Sequence, residues 1–133
     1  MTDLDVPVFL FETETALTVL GYASARQPDT DLVRTWEVAG LSHADAHFIR
    51  AIIGGPRDPG VGDLLGCADP INVGPQHEVI QAALHHLVTW VATGEPPPAG
   101  AAIELTDDDP TTIARDGRGI ALGGVRHPLV DVP

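Results

Sequence analysis

The sequence predicts an α/β fold built on a small parallel sheet, and three observations carry that expectation. "VPVFLF", Val6 to Phe11, is apolar at every position, the mark of a strand covered on both faces. "LVRTWEVAG" is β-branched and aromatic and reads as a second strand ending near Gly40. Between Gly74 and Pro98 lies a long amphipathic helix with proline at its start and glycine at its end.

The first strand and the second are joined by "ETETALTVLGYASARQPDTD", which predicts a short helix around Ala16 to Ala23 and a loop over Gln27 to Asp31. A helical connection between two strands favours a parallel pair. In "GPQHEVIQAALHHLVTWVATGEPPP", Pro75 suits the first turn, Gly94 suits the position past the end, and Pro96 to Pro98 stop the helix. Ile80, Leu84, Leu87, Val88 and Val91 share one face at helical spacing, which predicts that this face lies against a sheet. The glycine- and proline-rich segment 54–74 predicts a long irregular loop, and loops of that length are often functional. The tail holds an Asp116-Gly117 turn between two β-prone runs and predicts a terminal β-hairpin.

A chain of 133 residues with 44% apolar content is the size of one globular domain. Seven basic against nineteen acidic residues give a net charge of −12, which repels nucleic acid and anionic lipid. No apolar run reaches transmembrane length, and the start lacks the basic region of a secretory signal. With one cysteine, Cys67, no internal disulfide is possible, and no neighbouring base activates that thiol.

The chemistry-bearing stretch is "WEVAGLSHADAH", where His43, Asp45 and His47 follow the second strand. One reading is structural: the histidines decorate the first turn of a helix starting near Ser42, with Asp45 favoured by the helix dipole. A metal site from these three residues needs a further convergent ligand, and the spacing matches no ligand pattern. "GLSHA" resembles a nucleophile turn at Ser42, with Asp107 and His127 downstream, but too few strands precede it to support such a site. His77, His85 and His86 belong to the long helix and its start. Arg118 sits in the tail's turn without a role, and Arg126 suits a salt bridge as well as a substrate contact.

"VPVFLFETETAL", "GYASARQPDTD", "WEVAGLSHADAH", "CADPINVGPQHEVIQAALHHLVTWVATGEPPP" and "GGVRHPLVDVP" together resemble the C-terminal part of the bacterial alpha/beta-hydrolase domain proteins, from Val6 to Pro133. The resemblance implies a partial α/β-hydrolase domain over residues 1–133, with two core parallel strands, the long helix and the hairpin. It makes His43 the base of a catalytic triad and Glu14 its acid. Where members of the group carry a further carboxylate this chain has Ala16, so Glu12 and Glu37 stay open as alternatives. The implied substrate of the full-length protein is a small ester-like molecule, with no metal or organic cofactor, no nucleic acid and no membrane partner. The attacking serine is expected upstream of Met1, so the isolated chain is expected to be inactive and to self-associate through an uncovered strand edge. A non-catalytic acidic binding module is the competing expectation.

Overall fold

The computed structural model describes residues 5–53, 68, 70–106, 109 and 111–132. Its centre is a pair of parallel strands, β1 (Val8–Thr13) and β2 (Val33–Val38), in a register that sets Phe9 beside Arg34, Phe11 beside Trp36 and Glu12 beside Glu37. Among the described residues the sheet has these two strands only. β1 starts two residues later than the apolar run predicts and continues through Glu12 and Thr13, because its ladder to β2 runs to Val38.

The chain leaves β1 directly into α1 (Glu14–Thr18), where the Thr13 hydroxyl accepts the Ala16 N–H at 3.3 Å as the cap. This helix is shorter than the periodicity predicts. Thr18 and Val19 are β-branched and Gly21 follows, so the chain passes into a 3-10 turn at Tyr22–Ala25 instead of extending the helix. Beyond β2 come α2 (Ala46–Ile53), α3 (Gln76–Thr93) and a last short helix, α4 (Pro128–Asp131). Pro75 precedes α3, and Gly94 closes it in the left-handed region at φ 78°, its N–H donating to the Trp90 carbonyl at 2.8 Å.

The two faces of the sheet carry separate cores. On one, Trp36, Val38 and Leu41 pack with Val79 and Ala83 of α3, and Phe9 meets Trp36 edge to face at 5.0 Å. The indole N–H of Trp36 donates to the Pro98 carbonyl at 2.9 Å, which ties the segment after α3 to β2. The other core gathers Leu17, Ala39, Ile103, Ile113 and Ala121, with Tyr22 against it.

α3 does not bury the face that spacing predicts. Val79, Ala83 and Trp90 are its buried residues, whereas Leu84, Val88 and Val91 are 55–68% exposed. Apolar residues occur on more than one side of this helix, so the period alone does not choose the stripe that meets the sheet. Phe9 and Phe11 of β1 and Ile80, Leu84 and Leu87 of α3 line an apolar groove of about 180 Å³.

The tail pairs more locally than a simple hairpin. Its bridges join Ile103 to Gly123, Leu105 to Ile113 and Arg115 to Ala121, all antiparallel, and Val125 joins Val38 in parallel. The Asp116 carboxylate accepts the Arg118 and Ile120 N–H groups, which hold it below the usual carboxylate range and close the turn. Arg126 is engaged within the tail, with Asp131 at 2.7 Å and the Ala121 carbonyl at 2.9 Å. No helix among the described residues is long and apolar enough to cross a membrane. Most of segment 54–74, including Cys67, lies outside the described residues, as does Asp107.

Candidate functional site

Parallel strands aim their carboxyl ends the same way, and in α/β sheets the crevice beyond those ends is where chemistry collects. Here β1 ends at Thr13 and β2 at Val38, and the turns leaving them are stitched together. The Gly40 N–H donates to Glu14 Oε1 at 2.6 Å, the Glu14 N–H to the Leu41 carbonyl at 3.2 Å, and the His43 N–H to Thr15 Oγ1 at 2.6 Å. Asn72 pins the same turn from another direction, its Nδ2 donating to the Gly40 carbonyl at 2.9 Å while its own carbonyl accepts the Ala46 N–H at the start of α2. Sequence reasoning passed over Asn72, since an asparagine in a loop carries no signal for a partner 32 residues away.

Gly40 is in the left-handed region at φ +77°, and a Cβ there would lie 2.7 Å from a Val130 methyl of α4. Gly40→Ala is therefore expected to destabilise the fold by about 1–3 kcal/mol, read as a lower urea midpoint with an unchanged slope.

The residues of "HADAH" separate by role. Asp45 is 5% exposed and caps α2, its Oδ1 accepting the Phe48 N–H at 2.7 Å. His47 is exposed in the first turn of α2, which begins at Ala46 rather than near Ser42. His43 is also exposed, three residues before the helix, with its backbone held by Thr15. Among the described residues no group of three histidine, cysteine or acidic side chains is gathered as a metal site. The Ser42 hydroxyl is buried and no base is hydrogen-bonded to it among the described residues. His127, the base it would need, has Nδ1 occupied by the Leu129 N–H at 3.1 Å. His85 is exposed on α3, and His86 rests against the Trp36 ring at 5.4 Å. His77 pairs with Glu78 at 3.0 Å on the surface.

The three candidate carboxylates are sorted by their partners. Both Glu14 oxygens are engaged, Oε1 by the Gly40 N–H and Oε2 by Arg115 at 2.6 Å. Glu14 thus orients the turn that leads to His43, and no hydrogen bond joins its carboxylate to the imidazole among the described residues. Glu37 is 4% exposed and fully bonded: Arg26 forks onto it at 2.8 and 2.6 Å, and the Ile103 N–H donates at 2.7 Å. Glu12 lies within the electrostatic reach of His43. Burial, and next the negative charge of Glu37, push its pKa above the ordinary value, while the His43 charge pulls it back. Tyr22 closes this cluster from the 3-10 turn, its pKa raised chiefly by burial, with its hydroxyl near that of Thr35 but in no well-aligned bond. Beside the Gly40 turn a cavity of about 320 Å³ opens between Glu14, Thr15, Ser42, Asn72 and Arg115.

Residues 1–133 match the family model described as "Alpha/beta hydrolase domain", and the chain belongs to that family, in agreement with the resemblance of its separate segments. Neither a curated protein nor a solved structure gives a match.

Proposed function

We propose that this alpha/beta hydrolase domain supplies the histidine base and the carboxylate of a serine-type hydrolase acting on small carboxylic esters, with the attacking serine carried by a preceding segment. What supports this reading most directly is that Glu12, near the carboxyl end of β1, feels the His43 charge, while Glu14 and Glu37 are engaged by Arg115 and Arg26. In the reaction the serine oxygen attacks the ester carbonyl carbon while His43 takes the hydroxyl proton, and the resulting imidazolium is stabilised by Glu12. Collapse of the tetrahedral intermediate breaks the ester bond, and His43 returns the proton to the departing alcohol. Water then attacks the acyl-enzyme with His43 again as base, releasing the acid and restoring the serine. Glu14 serves this chemistry through the backbone, by fixing Gly40 and with it the path of the chain to His43. The cavity beside Ser42 and Asn72 is of a size to receive a small acyl or alcohol group.

A serine-directed phosphonate probe tests the assignment. The 133-residue chain alone is expected to stay unlabelled, and a polypeptide that also holds the preceding segment is expected to label at one serine outside residues 1–133. Light scattering on the same unlabelled chain is expected to show self-association, because among the described residues β1 has a partner on one side only and Phe9 and Phe11 open onto the apolar groove. Labelling at Ser42 would move the nucleophile into this chain, and a stable, unlabelled monomer would favour a non-catalytic binding module.

A further inference from the structure

The register places Glu12 and Glu37 side by side on neighbouring strands, both projecting from the same face of the sheet. Two carboxylates at that spacing do not both ionise freely in a partly buried site unless one of them is balanced. The balancing group is Arg26, from the end of the 3-10 turn. It meets both Glu37 oxygens and is itself fixed by a third bond, Nη2 to the Ile103 carbonyl at 2.7 Å. A planar fork held at three points is specific to arginine, since a lysine would bring the charge without the geometry.

We infer that Arg26 is a positioning residue for Glu12: by forking onto Glu37 it balances the second carboxylate of the pair, so that Glu12 keeps its negative charge beside His43. The inference rests on the reading of Glu12 and His43 given above and adds the residue that governs the charge state of the acid. The titratable groups facing Glu12 are Glu37 from β2, His43 from the turn after β2 and Tyr22 from the 3-10 turn, with Arg26 behind Glu37. Of these, Glu37 opposes ionisation of Glu12 and His43 favours it. Arg26 acts by cancelling the opposition.

The test follows the Glu12 carboxyl and the His43 imidazole by NMR through a pH titration of the 133-residue protein with labelled glutamate and histidine side chains. Arg26→Met is expected to raise the Glu12 midpoint by roughly one pH unit, the size of an uncompensated neighbouring charge. Arg26→Lys is expected to return most of that shift. Glu37→Gln is expected to lower the midpoint below that of the unsubstituted protein, because the Arg26 charge is then uncompensated, and adding Arg26→Met to Glu37→Gln is expected to bring the midpoint back up to near that of the unsubstituted protein. A purely structural arginine would leave the Glu12 midpoint unmoved by Arg26→Met, with or without Glu37→Gln, and that result overturns the inference. If Arg26→Met alone does not fold, the comparison is made in Glu37→Gln, where the fork is already released: a midpoint raised by adding Arg26→Met supports the inference, and an unmoved one overturns it. Should Glu12 follow the expected pattern while the His43 midpoint is the same with and without Glu12→Gln, Arg26 governs Glu12 as inferred and the pairing with His43 is what fails.

Discussion

His43→Ala is expected to lower ester turnover by roughly three orders of magnitude or more in a polypeptide that includes the attacking serine. The imidazole handles a proton in every step of acyl transfer, so its loss leaves only substrate binding and oxyanion stabilisation. Folding should be untouched, because His43 is exposed and the bond that holds the turn comes from its backbone N–H to Thr15, which alanine retains. His47→Ala is the control. It lies four residues on, is equally exposed, and sits in the first turn of α2 without a partner in the cluster, so its turnover should remain within a few-fold of normal. Steady-state kinetics with an activated ester separate the two, and near-normal turnover of His43→Ala would sink the assignment.

Glu12→Gln is expected to cost roughly 10³–10⁴-fold in turnover, since the imidazolium formed during attack then has no opposite charge beside it. The raised pKa of Glu12 adds a pH signature. Glu12 works ionised and His43 neutral, so the loss of turnover in acid should include a component set by the raised Glu12 value beside the one set by protonation of the imidazole. The stability effect has the opposite direction. A carboxyl whose folded pKa exceeds its unfolded value binds its proton more readily when folded, a contribution fully present below the unfolded pKa and lost as the pH rises through the folded one. At neutral pH the ionised Glu12 is therefore a cost, relieved by glutamine, and the variant should unfold at an equal or higher urea concentration there. That advantage should vanish in acid. Glu14→Gln should behave differently, losing about 1 kcal/mol of stability through its weakened bonds to Arg115 and Gly40. Turnover that collapses in Glu14→Gln and is largely kept in Glu12→Gln would exchange their roles.

Much of the framework was legible along the chain. "VPVFLF" announced a strand by being apolar at every position, "LVRTWEVAG" a second by its β-branched and aromatic residues, and the helical connection between them a parallel pair. Gly94 announced the end of α3, because a residue at φ 78° is most easily glycine. His43 stood out by following a strand in a segment shared with the family. These features are local: each depends on a few consecutive residues and on backbone preferences that no distant partner has to complete.

What only the tertiary structure decided is the division of labour among the carboxylates and the facing of α3. Glu12, Glu14 and Glu37 have the same side chain, and nothing in their neighbours along the chain ranks them. Glu14 is claimed by Arg115, 101 residues away, and Glu37 by Arg26 and by the Ile103 N–H, 11 and 66 residues away. In the proposed triad, Glu12 becomes the carboxylate available to His43 only after those bonds have formed. α3 poses the same problem with apolar groups, since several stripes could be buried and it is Val79 and Ala83 that pack with Trp36, Val38 and Leu41. Identical groups differ only by their surroundings, and those surroundings are assembled from segments that meet when the chain folds.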